Sequence, residues 1–339
     1  MEEGFESLLV NPLRVIEEAT LTRFEDGAAN NNYVSDLYGR LLAKTFLREH
    51  GDYSRWKPLG QSELIRNDDR PYLIANGTMN YRRSGSFDVT QECFEMTKDY
   101  CGTRSLGYVA ATDLPADDKA IRIRDSIAIS GAAVAVHVPG LGSEVAGIGL
   151  SREIVNYVAN ESAAPKDKPT AERLDVADGG HYNNLGVESL VNRGCGYIIV
   201  VDAEHDAENK TRTRSNQSYH GLKTLLQRHH IKQPSIDIDT LDRANQAVHV
   251  ISGGAKVPDI LYVKLKSLSA FNKVAAKQRY NKPGFFKSIF GGGDFTFDPQ
   301  FSTAKLDYSF AEHRNLTELG VFMVQDNAPA FQQFVNRAQ

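Results

Sequence analysis

Asp178 is the residue of this chain best placed to do chemistry. It stands in Leu174-Asp175-Val176-Ala177-Asp178-Gly179-Gly180-His181-Tyr182-Asn183-Asn184-Leu185-Gly186, where an apolar approach runs into Asp-Gly-Gly and a polar turn. A carboxylate held in such a place can take a proton from a hydroxyl, provided that it is fixed and partly removed from water. Neither glycine carries a Cβ, so the backbone can turn sharply and a second loop can come close. The plainer reading is a turn and nothing more, since Asp and Gly are common turn residues. The flanks argue against that. Leu185, Val187, Leu190 and Val191 follow, and then Tyr197-Ile198-Ile199-Val200-Val201-Asp202 reads as a buried strand. The unit is strand, tight turn, helix, strand, and its carboxylate lies at the carboxyl end of a strand, where an α/β fold exposes reactive groups.

Asp178-Gly179-Gly180 followed by Asn184-Leu185 resembles the Asp-Gly-Gly/Ala…Asn-Leu-Pro motif of patatin-like lipid acyl hydrolases and the related cytosolic phospholipases. Other segments resemble bacterial members of that group: Pro71 to Asn80, Tyr100-Cys101-Gly102, Ile127 to Val134, and Phe301-Ser302-Thr303 with Glu312-His313-Arg314. Together they extend over most of the chain. The resemblance implies an α/β fold with a patatin-like three-layer arrangement of sheet and helices. It implies cleavage of fatty-acyl esters, with phospholipid or another acyl-ester lipid as the substrate, through a serine in Gly-x-Ser-x-Gly whose only partner is the aspartate. Asp178 would be that general base, with Gly179, Gly180, His181 and Asn184 shaping the site. No metal or organic cofactor is implied.

The nucleophile half of that pattern is absent from the 339 residues, which contain no Gly-x-Ser-x-Gly and no glycine-rich oxyanion loop before Asp178. The chain therefore resembles the carboxyl-terminal part of such a domain, downstream of the nucleophile and incomplete on its amino-terminal side. Two expectations follow from different classes. Either this is the base-bearing part of an acyl hydrolase, truncated or split from a partner polypeptide that carries the serine. Or it is an inactive relic that serves as a lipid-binding or protein-interaction module.

Ser130 is the best nucleophile within the chain. Ala128-Ile129-Ser130-Gly131-Ala132 places small residues where a strained elbow needs them. No strand clearly precedes it, however, and the resemblance sets this segment after the true serine. The plainer reading is a helix packed closely through its small residues. Ser252-Gly253-Gly254 reads as a turn, and Gly291-Gly292-Gly293 as a hairpin tip. Asp178-x-x-His181 and the pair His229-His230 are too thin a set for a metal site, which needs several converging ligands; His181 is expected to line the site entrance.

The elements that position these residues belong to a soluble globular composition. Thirty-nine basic and 43 acidic residues leave a net charge of -4, with no field to draw nucleic acid. Three cysteines, Cys93, Cys101 and Cys195, form no disulfide framework and fit a reducing compartment. The amino terminus lacks the order of a secretory signal. Ser126 to Gly142 is the longest lightly charged run, mostly Ala, Gly and Val with His137 and Pro139, and reads as a buried helix and loop rather than a membrane span, which needs ~20 strongly apolar residues. The expected location is cytoplasmic or peripheral at a membrane.

Phe5 to Phe24 reads as a helix interrupted near Pro12, and Tyr33 to Glu49 as an amphipathic helix from Val34, Leu37, Tyr38, Leu41, Leu42 and Phe46. Tyr72 to Tyr81 reads as strand, with Asn76-Gly77 open to a hairpin turn. Asp125 and Ser126 are candidate caps for a helix running to Val136. Leu222, Leu225, Leu226 and His229 predict a helix, and Ala247 to Ile251 and Ile260 to Leu265 predict strands. Surface loops are expected over 160–173, 204–218 and 272–298, before a terminal helical region that holds Phe310, Leu316, Leu319 and Phe331. With no repeat and no clean linker, one α/β domain spanning 1–339 is the simplest organisation.

Within the last of those loops, Phe285, Phe286 and Lys287 form the candidate membrane contact. Aromatic residues dip into a lipid interface while flanking lysines face anionic headgroups; the alternative is that they fold back on the core. Replacing Phe285 and Phe286 with serine is expected to weaken sedimentation with anionic vesicles while the protein stays folded. Unchanged binding would remove the membrane contact.

Overall fold

The computed structural model describes residues 72–82, 89–110, 123–130, 152–157, 171–204, 226–228, 246–253, 257–280, 297–299, 301 and 308–339. They fall into two compact units, divided between Ser189 and Leu190. The architecture is mixed α and β, with one antiparallel sheet and one mixed sheet.

The first unit is built on β1 (Ala75–Arg82), β2 (Val89–Met96), β3 (Tyr100–Thr103), β4 (Gly107–Ala110), β5 (Arg152–Tyr157) and β6 (Ala171–Asp178), with helices α1 (Ile123–Ser130) and α2 (Gly180–Asn183). The six strands run in the order β4-β3-β2-β1-β6-β5, and every pairing is antiparallel. Phe94, Met79 and Met96 fill its core together with Ile129 of α1. Asn76-Gly77 makes no turn: β1 runs straight through it. The glycine is there for room, because a Cβ on Gly77 would lie 2.7 Å from Val176 Cγ1 and 3.0 Å from Ile129 Cγ2. Helix α1 packs where that side chain would be.

Two expectations in this unit need correction. Asp125 and Ser126 lie inside α1 rather than capping it, because the helix already begins at Ile123. Both are buried. The strand β6 begins at Ala171, so the surface loop expected over 160–173 ends sooner than predicted. Pairing with β5 draws Ala171 and Arg173 into the sheet despite their polar setting. The remainder of that loop lies outside the described residues, as do the two amino-terminal helices, 205–218, and the His229-His230 pair.

The second unit holds β7 (Tyr197–Asp202), β8 (Val248–Ile251) and β9 (Asp259–Lys264), with α4 (Ser269–Tyr280), α5 (Phe310–Asp326) and α6 (Ala328–Ala338). The short helix α3 (Glu188–Asn192) contains the division between the units. The sheet order is β7-β9-β8. β7 and β9 are parallel, and β8 and β9 antiparallel. Val248, Leu261 and Val263 on one sheet face pack with Phe271 and Ala275 of α4, Leu319 and Met323 of α5, and Phe334 of α6. Helix α5 opens with a capping box, in which Ser309 Oγ accepts from the Glu312 N–H at 3.2 Å and the Ser309 N–H donates to Glu312 Oε2 at 2.8 Å.

The apolar run Tyr197 to Asp202 is not buried on both faces. Ile198, Val200 and Asp202 point inward, while Tyr197, Ile199 and Val201 are exposed, Val201 by 71%. Among the described residues β7 stands at the edge of its sheet, whereas β9 in the middle is buried along nearly its whole length. Residue type alone does not separate those two positions. The loop expected over 272–298 is also corrected, because α4 continues to Tyr280. Phe271 and Ala275, four residues apart, are buried on one face of it, while Lys273 and Val274 are exposed. Ser252 and Gly253 follow β8, and the Gly253 N–H donates to Asp259 Oδ1 at 3.0 Å; the rest of the turn expected there lies outside the described residues.

The carboxyl ends of β7 and β9 close on a buried charge cluster. Asp202 and Lys264 are partners in the parallel register, and Lys264 Nζ lies 3.1 Å from Asp202 Oδ1. Tyr262 donates its hydroxyl to the same carboxylate. Lys264 Nζ also donates to the Glu204 carbonyl at 3.0 Å, and the Glu204 N–H donates to Asp202 at 2.8 Å. Removing one ion of a buried pair leaves the other unpaired in low dielectric. Lys264→Met is expected to cost about 3–5 kcal/mol of stability, measured as a lower urea midpoint; a cost below about 1 kcal/mol would show the pair to be effectively solvated.

Candidate functional site

Asp178 is the last residue of β6, and Gly77 of β1 is its Cα partner across the sheet. The expected sequence of strand, tight turn, helix and strand is present as β6, Gly179, the helices α2 and α3, and β7. The strand that delivers the carboxylate is antiparallel to both of its neighbours.

The two glycines act through space rather than through unusual backbone angles. Gly179 has φ -59° and ψ -28°, which any residue can adopt. A Cβ there would sit 2.7 Å from the Asn76 carbonyl oxygen. On Gly180 a Cβ would sit 2.8 Å from Asn184 Oδ1 and 3.1 Å from Asp178 Oδ1. Side chains at these positions would push β1 away from the turn and crowd the carboxylate itself.

Asp178 is 8% exposed. Its Oδ1 accepts from the Gly180 N–H at 2.6 Å, and among the described residues Oδ2 has no partner. Burial pushes the carboxyl above the usual carboxylate range, against the smaller opposing pulls of the Gly180 amide and of His181. One oxygen is thus anchored and the other is open to a hydroxyl. His181 is half-buried beside it, and Asn184 is exposed at the end of α2. Ser130 is the final residue of α1, half-buried and preceded by helix rather than by strand. Phe285, Phe286 and Lys287 lie outside the described residues. Among the described residues no three His, Cys, Asp or Glu side chains converge on a metal-sized site, and no helix is long and apolar enough to cross a membrane.

Sequence reading missed the residues of β1 and β2 that face this turn. Thr78 Oγ1 donates to the Gly179 carbonyl at 3.3 Å. Asn76 Oδ1 accepts from Ser189 Oγ at 2.7 Å and from Cys93 Sγ at 3.2 Å. Burial pushes the Cys93 thiol up to about 11 and that of Cys101 to about 12, so both stay protonated at neutral pH. The one signal for Asn76 is a polar residue before a glycine inside a strand, which reads equally well as a hairpin.

Because the folded pKa of Asp178 is raised, its contribution to stability is fully present below the ordinary carboxylate value, about 3.9. That contribution is lost as pH rises through the folded pKa. Asp178→Asn keeps an oxygen for the Gly180 N–H but does not ionise. The variant is expected to equal or exceed the native chain in stability at pH 7, with the difference closing as pH falls below about 4, in urea unfolding at stepped pH. A variant that is clearly less stable at pH 7 would mean that the ionised carboxylate stabilises the fold.

The chain is similar in structure to human GIVD cytosolic phospholipase A2, with a TM-score of 0.62 and 14% sequence identity. The match covers 99% of this chain and 53% of that one, so this chain spans about half the length of its neighbour. At that identity the likeness shows the fold, which is a phospholipase-like mixture of α and β. No family model matches the chain, and no curated protein sequence matches it.

Proposed function

We propose that this chain is the base-bearing part of a lipid acyl hydrolase that works through a serine–aspartate dyad. The observation that carries this reading is Asp178: a buried carboxylate at a strand end, with Oδ1 anchored by the Gly180 N–H at 2.6 Å and with raised proton affinity. A base of that kind takes the proton of a serine hydroxyl as the oxygen attacks an ester carbonyl. The proton then passes to the departing alcohol, leaving an acyl-serine. Asp178 next deprotonates the water that releases the fatty acid. The phospholipase-like fold lends further support and points to a lipid ester as substrate.

In this reading the serine and the oxyanion donors come from polypeptide outside the 339 residues. The complete assembly has the three-layer patatin arrangement, and Phe285, Phe286 and Lys287 meet the lipid surface. Gly179, Gly180, His181 and Asn184 shape the approach to Asp178.

A serine-directed fluorophosphonate tests this with the folded chain, alone and combined with a polypeptide that carries Gly-x-Ser-x-Gly. The expected result is no labelling of the chain alone. The combined protein should label at its serine and cleave phospholipid esters, with Asp178→Asn lowering turnover by about 10²–10⁴-fold. Labelling of the lone chain that vanishes in Asp178→Asn would instead put the nucleophile inside it, at Ser130. A folded combination that neither labels nor hydrolyses would leave the binding-module reading.

A further inference from the structure

The turn that carries Asp178 is held from β1, by Thr78 at Gly179 and by Asn76 beyond it. Asn76 of β1 faces the segment Gly179 to Ser189 at three points. Its backbone oxygen occupies the space that a Cβ on Gly179 would need, at 2.7 Å. Its Nδ2 donates to the Gly186 carbonyl at 3.4 Å. Its Oδ1 accepts from Ser189 Oγ at 2.7 Å. Gly186 has φ +65°, a left-handed conformation that favours glycine. A Cβ there would come within 3.0 Å of Asn76 Nδ2. The chain therefore bends back toward Asn76 at a residue chosen for that bend.

The amide orientation is set by its partners. Oδ1 takes two donors, Ser189 Oγ and Cys93 Sγ. Burial keeps the Cys93 thiol protonated and hence a donor. A flipped amide would set an oxygen against the Gly186 carbonyl and lose that bond. Asn76 is also adjacent to Gly77, which pairs with Asp178. Strand pairing fixes the Asp178 backbone, and the Asn76 side chain fixes the far end of the turn that follows.

We propose that Asn76 is a positioning residue, whose amide ties Gly186 and Ser189 to β1 and so sets where the Asp178 carboxylate points. Its bearing on hydrolysis rests on the dyad reading above, but the positioning does not.

The test uses the 339-residue chain with Asn76→Ala and, as a milder change, Ser189→Ala, which removes one donor. Amide hydrogen exchange is read at Gly180 and Gly186, with β2 amides in the same molecule as the reference, and Asp178 is titrated through its side-chain ¹³C carboxyl signal. For Asn76→Ala we expect exchange at Gly180 and Gly186 to quicken by about tenfold relative to β2, together with a displaced Asp178 titration. Ser189→Ala should show a smaller change in the same direction. Should Asn76→Ala fail to fold, Ser189→Ala carries the test alone. A role in general stability would quicken β2 equally and leave the Asp178 titration of the folded protein unmoved, and that pattern overturns the inference. These readouts need neither nucleophile nor substrate, so a failed labelling experiment leaves them standing. Conversely, an unmoved Asp178 would sink the role of Asn76 without touching the proposed chemistry.

Discussion

The antiparallel pairing of β1 with β6 is the constraint from which the candidate site follows. It sets Gly77 opposite Asp178, and the missing side chain at Gly77 leaves space that Val176 and Ile129 occupy. A buried strand end is a poor place for an ionised carboxylate, since burial disfavours the charged form. Asp178 is nevertheless held there, by the close approach of the Asn76 carbonyl to Gly179 and by the Gly180 N–H on its own Oδ1. A group retained against its solvation preference, with one oxygen left open, is what a proton acceptor requires.

Two of the buried carboxylates among the described residues, Asp202 and Asp178, show the contrast. Asp202 is surrounded by donors, namely Lys264, Tyr262 and the Glu204 N–H. Its negative charge is matched by a cation and shared among hydrogen bonds, so the cluster closes the ends of β7 and β9 and offers nothing to a substrate. Asp178 has one backbone donor and His181 nearby. The difference in partners, rather than in burial, separates a structural carboxylate from a candidate catalytic one.

Each unit places its apolar residues differently around its sheet. In the first, Phe94, Met79, Met96 and Ile129 are buried around strands that pair in an antiparallel ladder. In the second, three helices cover β8 and β9, and the edge strand β7 keeps Ile199 and Val201 exposed. Tyr197, exposed with them, also meets the Phe334 ring edge-on, with centroids 5.7 Å apart.

Local pattern was enough for the strand ending at Asp178, the turn after it, the three strands of the second unit and the terminal helices, because each rests on contiguous residues whose types dictate backbone geometry. The helix α4 was hidden because, among its described side chains, Phe271 and Ala275 alone are buried, too few to set a clear helical period. The open face of β7 was hidden because an apolar run looks the same at the edge of a sheet as in its centre. The roles of Asn76, Thr78, Cys93 and Ser189 were beyond reach, since they arise from bonds between residues 17 to 113 positions apart. Asp178 was therefore legible as a carboxylate in a turn. Its burial, its raised proton affinity and its single anchored oxygen were set by long-range packing, because desolvation and hydrogen bonding come from whatever the fold brings alongside.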